Sequence, residues 1–277
     1  MAKVYYVGDW AVQLGPVFAE TPFNYAWKGL DIYNYGHWLK EAIEGGGKHE
    51  VTSVATWEFY KLPPGEYEKL LAQYDVVIFS DVEAKNFQLN PSFFDRKQFG
   101  KAVLTFPDRV NLTVEACKSG VGMIFLGGWL SFNGEMGKGG WGRTRLREIL
   151  PVECLEYEDL IESTEGFCAQ PVGAGWGAKG GRAKRTPAAQ TVLDGVDLTT
   201  MPPILGYNRV KPRDGCEVLA TWQGSKDPAM AVGQGGAFGK GKVFAYTSDP
   251  APHWGCNFVF WEQYAKLWQN VVDWMAS

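Results

Sequence analysis

The stretch Val121–Gly142, VGMIFLGGWLSFNGEMGKGGWG, limits the fold more than any other part of the chain. A short apolar run, Val121–Leu126, breaks at Gly127-Gly128 and opens into a loop carrying Gly134, Gly137, Gly139, Gly140 and Gly142. A run without polar alternation has no face for water, so it fits a strand covered on both sides. A glycine turn at the end of such a strand is where α/β proteins place nucleophiles and ligand loops. Here the turn leads into Trp129, with no cysteine, serine or acid at the bend.

Other segments supply the rest of an α/β frame. Asp75–Asp81 (DVVIFSD) is a second continuous apolar run, and Lys3–Val7 and His49–Thr56 read as further strands. Between them, Ala26–Ile43 has helical spacing, with Ile32, Tyr35, Leu39 and Ile43 on one stripe and Gly45-Gly46-Gly47 as the stop. Gln13–Thr21 and Asn86–Phe106 read as irregular, Pro63-Pro64 as a turn, and Tyr67–Gln73 as a short helix. Asp108 is placed to cap a helix that runs to about Lys118. Thr144–Leu150 reads as a short helix stopped by Pro151. Strand, helix, strand, helix, strand predicts a doubly wound parallel sheet with its ligand site at the carboxyl ends of the strands. In the second half, Glu217–Trp222, Ala229–Val232 and Lys242–Thr247 read as strands joined by polar turns, which predicts an antiparallel extension. Phe258–Met275 reads as a closing amphipathic helix. No repeat or long polar linker divides residues 1–277, so a single domain is expected.

Composition excludes several classes. With 27 basic against 31 acidic residues the net charge is −4, which gives no footing for nucleic acid or an anionic membrane. No apolar run reaches the length of a membrane span. Five scattered cysteines (117, 154, 168, 216, 256) with no CxxC argue against a disulfide framework or a zinc site and suit the cytoplasm, as does an N-terminus without a signal-peptide core. Twelve Trp, twelve Tyr and sixteen Phe fill a core and could form homo-oligomer contacts, or platforms for a sugar or other flat ligand.

Two phosphate-binding patterns fail on context. Gly137–Gly142 spells GxGxxG, but about ten residues after the strand, too late to set a helix N-terminus on a pyrophosphate. Gly236–Lys242 resembles a P-loop but continues as Val243 and a strand. No cofactor and no metal is therefore expected. The basic loop 176–185, with Lys179, Arg182, Lys184 and Arg185, is read as solvated.

Of three histidines, His37 reads as structural and His49 as exposed after its glycine turn, whereas His253 sits in the stiff segment SDPAPHWG after the last strand. Asp249, four residues earlier, is placed to orient its imidazole. Asp9, Ser80-Asp81, Glu83, Ser131 and Asn133 stand at other strand ends, which converge in a doubly wound sheet. The catalytic candidates are His253, Asp249 and Asp81. The ligand-binding candidates are Gly127, Gly128, Trp129, Ser131, Asp9 and Trp254. The loop N–H groups are expected to receive an anionic or carbonyl oxygen. Ser131 or Cys256 with His253 would be a nucleophilic pair, on weak spacing.

Tyr74–Asp81 (YDVVIFSD), Gly127–Phe132 (GGWLSF), Leu150–Glu153 (LPVE) and Thr247–Gly255 (TSDPAPHWG), with Trp261 and Trp268 beyond, resemble the class I glutamine amidotransferase-like superfamily. Within it, the chain is most similar to the "putative glutamine amidotransferase" branch that lacks the elbow cysteine. The resemblance implies a flavodoxin-like sandwich with a cleft at the elbow, and of the family's catalytic positions it carries over His253 alone. It does not carry over glutamine hydrolysis. The elbow offers Gly128 or Trp129 where the thiolate stands, and no glutamate follows His253 by two residues. By analogy, related branches are tied to sugar utilisation. Two functions follow as expectations: a divergent enzyme acting on a small polar ligand, or a non-catalytic binding or assembly subunit.

Overall fold

The structure is a computed structural model that describes residues 1–14, 17–18, 26–27, 30–89, 97, 108–172 and 186–277. Eight strands form the central sheet: β1 (Ala2–Val7), β2 (His49–Val54), β3 (Val76–Phe79), β4 (Gly122–Leu126), β5 (Ala169–Pro171), β6 (Glu217–Trp222), β7 (Pro228–Gln234) and β8 (Lys242–Tyr246). Their order is β5-β6-β7-β8-β4-β3-β1-β2. The five strands from β2 to β8 are mutually parallel, and β7, β6 and β5 extend the sheet antiparallel beyond β8. The parallel part has the order of a flavodoxin-like sheet, with its switch point between β1 and β3. Both the doubly wound sheet and the antiparallel extension expected from the sequence are present.

The continuous apolar strands are buried on both faces, as their composition requires. Along β1, Ala2, Val4 and Tyr6 face one layer and Tyr5 and Val7 the other; in β4, Ile124 and Leu126 oppose Met123 and Phe125 in the same way. One layer holds α1 (His37–Glu44), α6 (Pro187–Val192) and α7 (Tyr264–Met275); the other holds α2 (Thr56–Lys61), α3 (Pro64–Leu71), α4 (Ala84–Gln88) and α5 (Arg109–Ser119). Register is tight at the switch point: Val7 pairs with both Val54 and Phe79, and Phe79 with Phe125, so β1, β3 and β4 end side by side. Asp108 caps α5 by accepting the N–H of Asn111 at 2.9 Å.

Buried Arg109, at the start of α5, has no carboxylate partner among the described residues. Its guanidinium donates to the carbonyl oxygens of Tyr60, Leu62, Asn86, Phe87 and Leu89, tying the ends of α2 and α4 together. A planar fork with five donors suits that task, which an ammonium could not perform.

The structure differs from the sequence reading in several places, among them Gln13–Thr21, read as irregular, whose described residues end one strand and form the short strand Val17–Phe18. The stripe from Ala26 to Ile43 is not one helix. Leu30–Asn34 is a strand paired antiparallel with Trp10–Leu14, continued by the short pair Val17–Phe18 and Ala26–Trp27, and the helix begins only at His37. Ile32 and Tyr33 are favourable in strands, and their pairing with Val12 and Ala11 overrides a helical period that spanned two elements by coincidence. Thr144–Leu150 closes as a single 3-10 turn, Arg145–Glu148, and Phe258–Met275 splits into the turn Phe258–Phe260 and α7. Between them Trp261 is extended, its indole N–H donated to Thr200 Oγ1 at 3.0 Å. His49 is buried rather than exposed, with Nε2 3.2 Å from Asp273 Oδ1 on α7. The basic loop 176–185 and most of Asn86–Phe106 lie outside the described residues.

Candidate functional site

At the carboxyl ends of β1, β3 and β8 a cavity of about 420 Å³ opens between Asp9, Trp10, Ala11, Tyr35, Asp81, Trp129, Asp249, Pro252 and His253. It sits at the switch point of the parallel sheet, where such folds bind ligands. Three of its carboxylates come from equivalent positions, one strand end each.

Asp9 and Asp81 are built alike. Each is a non-glycine residue in the left-handed region, at φ +54° and +51°. Such strain persists only where surrounding structure fixes it, and it gathers at functional sites. Gly8, at φ +121°, makes the approach possible, because a Cβ there would lie 1.8 Å from the Ser80 carbonyl oxygen. Asp9 accepts from the Tyr6 hydroxyl and, at 2.8 Å, from Ser80 Oγ. Asp81 Oδ1 accepts the Leu130 N–H at 2.8 Å, and the Asp81 N–H is donated to Ser131 Oγ at 3.0 Å. Asp249 Oδ1 accepts the Ala251 N–H at 3.1 Å, and Oδ2 lies 3.3 Å from His253 Nδ1.

Beyond burial, the acids act on one another in one order: Asp9 raises Asp81, and both raise Asp249. Burial, opposed by the hydroxyl bonds from Tyr6 and Ser80, leaves Asp9 pushed up to about 6. Burial and then the charge of Asp9 push Asp81 up to about 7. Burial, with Asp9 and Asp81 adding to it, raises Asp249 well above the usual carboxylate range. His253 moves the other way: burial lowers its imidazole to about 4, against a smaller upward pull from Glu162. The imidazole is therefore neutral at physiological pH, one nitrogen toward Asp249 and the other, Nε2, buried without a hydrogen-bond partner among the described residues. This is the protonation state of a general base.

Trp129 forms the aromatic side of the wall. Its ring centroid is 4.0 Å from that of His253, and the side chain is 46% exposed, so it covers the imidazole without filling the cavity. Glu162, on the strand Leu160–Phe167, accepts the indole N–H groups of both Trp129 (3.0 Å) and Trp254 (2.7 Å) on one oxygen. A second cavity, about 380 Å³, lies at Glu162, Ser163, Thr164, Leu205, His253 and Trp254, so His253 contributes to both cavities.

The glycine turn is locked from behind. Buried Asn208 accepts the Gly128 N–H at 2.9 Å and donates to the Gly128 carbonyl (3.1 Å) and to Asp159 Oδ1 (2.9 Å). Asp159 in turn accepts the N–H groups of Asn133 and Gly134, both at 2.9 Å. These commitments correct the expectation that the loop N–H groups receive a ligand oxygen: those of Gly128, Leu130, Asn133 and Gly134 already serve Asn208, Asp81 and Asp159. The loop packs on its own chain, with Trp141 buried and its indole N–H donated to the Val82 carbonyl at 2.7 Å.

Of the sequence candidates, Asp9, Asp81, Trp129, Asp249 and His253 line one cavity. Gly127 and Gly128 form the turn beneath it; Ser131 is buried, holding Asp81; and Trp254 faces the second cavity. None of the five cysteines lines the cavity, and all five are free thiols. Tyr6, Tyr35, Glu162, Asp159 and Asn208 are additions from the structure. Asn208 and Asp159 stand in polar segments whose partners lie more than 20 residues away, so no local pattern marks them. Among the described residues no group of three or more His, Cys, Asp or Glu could hold a metal ion, and no helix is long and apolar enough to cross a membrane.

The family described as "Putative glutamine amidotransferase" matches residues 27–277, and the chain belongs to it. Among solved structures, the cytoplasmic protein STM3548 from Salmonella typhimurium is 26% identical, with 98% of each chain covered and a TM-score of 0.78. The cytoplasmic protein STM1381 from Salmonella typhimurium LT2 is 25% identical, with 99% of this chain and 100% of that one covered and a TM-score of 0.74. No curated protein matches the chain.

Proposed function

We propose that this member of the glutamine amidotransferase-like family binds and acts on a small polar metabolite in the strand-end cavity, with His253 as base and no covalent intermediate. The observation that carries the reading is the neutral His253 imidazole, placed by Asp249 at 3.3 Å on the wall of a cavity at the switch point. Asp249 orients the ring through Nδ1, which leaves Nε2 to take a proton from a bound substrate. Asp81 and Asp9, partly protonated near neutrality, can both donate to and accept from ligand hydroxyls, which suits sugars as well as other polar metabolites. Glutamine hydrolysis by the thiolate route is not supported, because the elbow is Gly127-Gly128-Trp129 and no thiol reaches the cavity. A cytoplasmic site of action is supported by the free cysteines and by the two Salmonella relatives named as cytoplasmic proteins.

The test is a thermal-shift screen of metabolites and sugars on wild type and His253→Ala. The expected result is a ligand that stabilises wild type alone; equal stabilisation of both proteins removes His253 from the site. The second reading, a non-catalytic binding or assembly subunit, is favoured by Val12, Ile32 and Tyr33, which are 45%, 48% and 43% exposed on the Trp10–Leu14/Leu30–Asn34 ribbon. It predicts a homo-oligomer in sedimentation velocity that Ile32→Glu dissociates.

A further inference from the structure

We infer that the ligand of this cavity is an organic cation, one whose ammonium or guanidinium group sits among Asp9, Asp81 and Asp249 while its carbon skeleton lies against Trp10, Tyr35 and Trp129. The inference rests on the cavity being the functional site and names the class of molecule it takes.

Two independent features lead to it. The first is charge. Three carboxylates line the cavity, and its nine described lining residues include no lysine or arginine. Among the described residues Asp249 alone of the three has an ion-pair partner, His253, whose imidazole is neutral near pH 7. Buried carboxylates ordinarily sit beside a cation that offsets their desolvation. Among the described lining residues none supplies that cation. The second feature is the wall. Trp10, Tyr35 and Trp129 line the cavity around the acids, and rings facing a desolvated organic cation attract it through their quadrupoles, Trp most strongly. Acids alone would attract any cation, but among the described residues they form no group that could hold a metal ion, and such an ion gains nothing from aromatic walls. A neutral polyol would gain from the rings and leave the acids uncompensated.

Linkage makes the inference measurable. Among the described residues, the shifted groups around the cluster keep their charge state between about pH 5 and pH 8. Tyr6 on β1, Tyr246 on β8 and Tyr264 on α7 are raised well above the ordinary phenol range by burial, and His253 titrates near 4. Glu162 is held below the usual carboxylate range, first by the Trp129 N–H. The protons that leave on cation binding therefore come from the three aspartates. Cation affinity falls about tenfold per pH unit once the cluster is protonated and levels off above its titration. A neutral ligand has no such slope.

The experiment is calorimetric titration of the intact protein with matched pairs: choline against 3,3-dimethylbutanol, guanidinium against urea, ethanolamine against ethylene glycol. Galactose and Mg²⁺ serve as further probes. Each is run near pH 5.5 and pH 8, in two buffers of different ionisation enthalpy. The expected result is that at least one cation binds, its neutral partner binds at least about tenfold more weakly, and protons are released at pH 5.5. Asp81→Asn, which keeps the acceptor for Leu130, reduces that binding about tenfold and removes part of the proton release. The inference is overturned if no cation binds at millimolar concentration, if neutral partners bind equally with no proton release, or if Mg²⁺ alone binds. Galactose binding that His253→Ala abolishes would also overturn it while leaving the site itself standing. A cation whose binding is unchanged in both Asp81→Asn and His253→Ala binds elsewhere, and both readings fail.

Discussion

Replacing Asp81 with asparagine should stabilise the protein, and by an amount that grows with pH. In the fold this carboxyl titrates near 7 against an ordinary 3.8, a rise caused first by burial and then by Asp9. A raised acid favours the protonated native state, so its contribution is fully present below the unfolded pKa and is lost as pH rises through the folded one. Each unit corresponds to about 1.4 kcal/mol, so relative to the unfolded chain the raised Asp81 costs the native state about 4 kcal/mol at pH 8, where it is ionised, and about 2 at pH 5, where it holds its proton. Asparagine is isosteric and its Oδ1 keeps the bond from the Leu130 N–H, so the packing is retained. Relief of Asp9 and Asp249 adds to the gain, and solvent at the cavity mouth subtracts from it. We expect Asp81→Asn to gain about 2 kcal/mol on wild type between pH 5 and pH 8, about 4 °C in Tm for a chain of this length. Urea unfolding at about pH 5, 6, 7 and 8 measures it. Parallel stability–pH curves for the two proteins would refute the claim that Asp81 is a buried, repelled carboxylate. A loss of stability at every pH would instead make it a structural acceptor only.

Four further outcomes test other parts of the structure. The His253 imidazole should remain neutral in NMR titration down to about pH 5, because burial lowers it to about 4; an inflection near its ordinary 6.5 would contradict a desolvated ring. Glu162→Ala should free both indoles and raise acrylamide quenching of tryptophan fluorescence, whereas Glu162→Gln, still able to accept both N–H groups, should stay near wild type; identical quenching of the two would show that Glu162 does not fix Trp129. Arg109→Ala should cost about 3–5 kcal/mol in chemical unfolding and Arg109→Lys should recover less than half, since an ammonium cannot serve five carbonyls; full recovery by lysine would mean that charge alone matters. Asn208→Ala should destabilise by about 2–3 kcal/mol and loosen the turn, seen as faster amide exchange at Gly128; unchanged exchange would show that the turn holds itself.

The parts of the fold legible from sequence are those in which burial leaves no choice. Val76–Phe79, Gly122–Leu126 and Lys242–Tyr246 are apolar at every second position on both faces, and only a sheet covered twice accepts them. Because parallel strands end at one edge, Asp9, Asp81, Asp249 and His253 could be gathered from sequence positions far apart. The N-terminal ribbon was misread because Ile32, Tyr35, Leu39 and Ile43 share a helical period across the end of a strand and the start of a helix. His49 looked exposed because nothing in its neighbours reveals that Asp273, over two hundred residues later, closes over it. Glu162, Asp159 and Asn208 were invisible for the same reason: each is an ordinary polar residue until strand pairing brings it behind the turn. Ser131 read as a possible nucleophile, yet its hydroxyl is spent on the Asp81 N–H.

The glycine at 128 sets what the turn of this chain can carry. A Cβ built there would fall 2.1 Å from Asp81 Oδ1, at a φ of +149°. The acid and any elbow side chain therefore compete for one volume. A Gly128→Cys change would have to push the Asp81 carboxylate aside and adopt a φ that a side chain rarely takes. The turn and the acid thus share one volume, so the acidic side of the cavity keeps its shape only while position 128 carries no side chain.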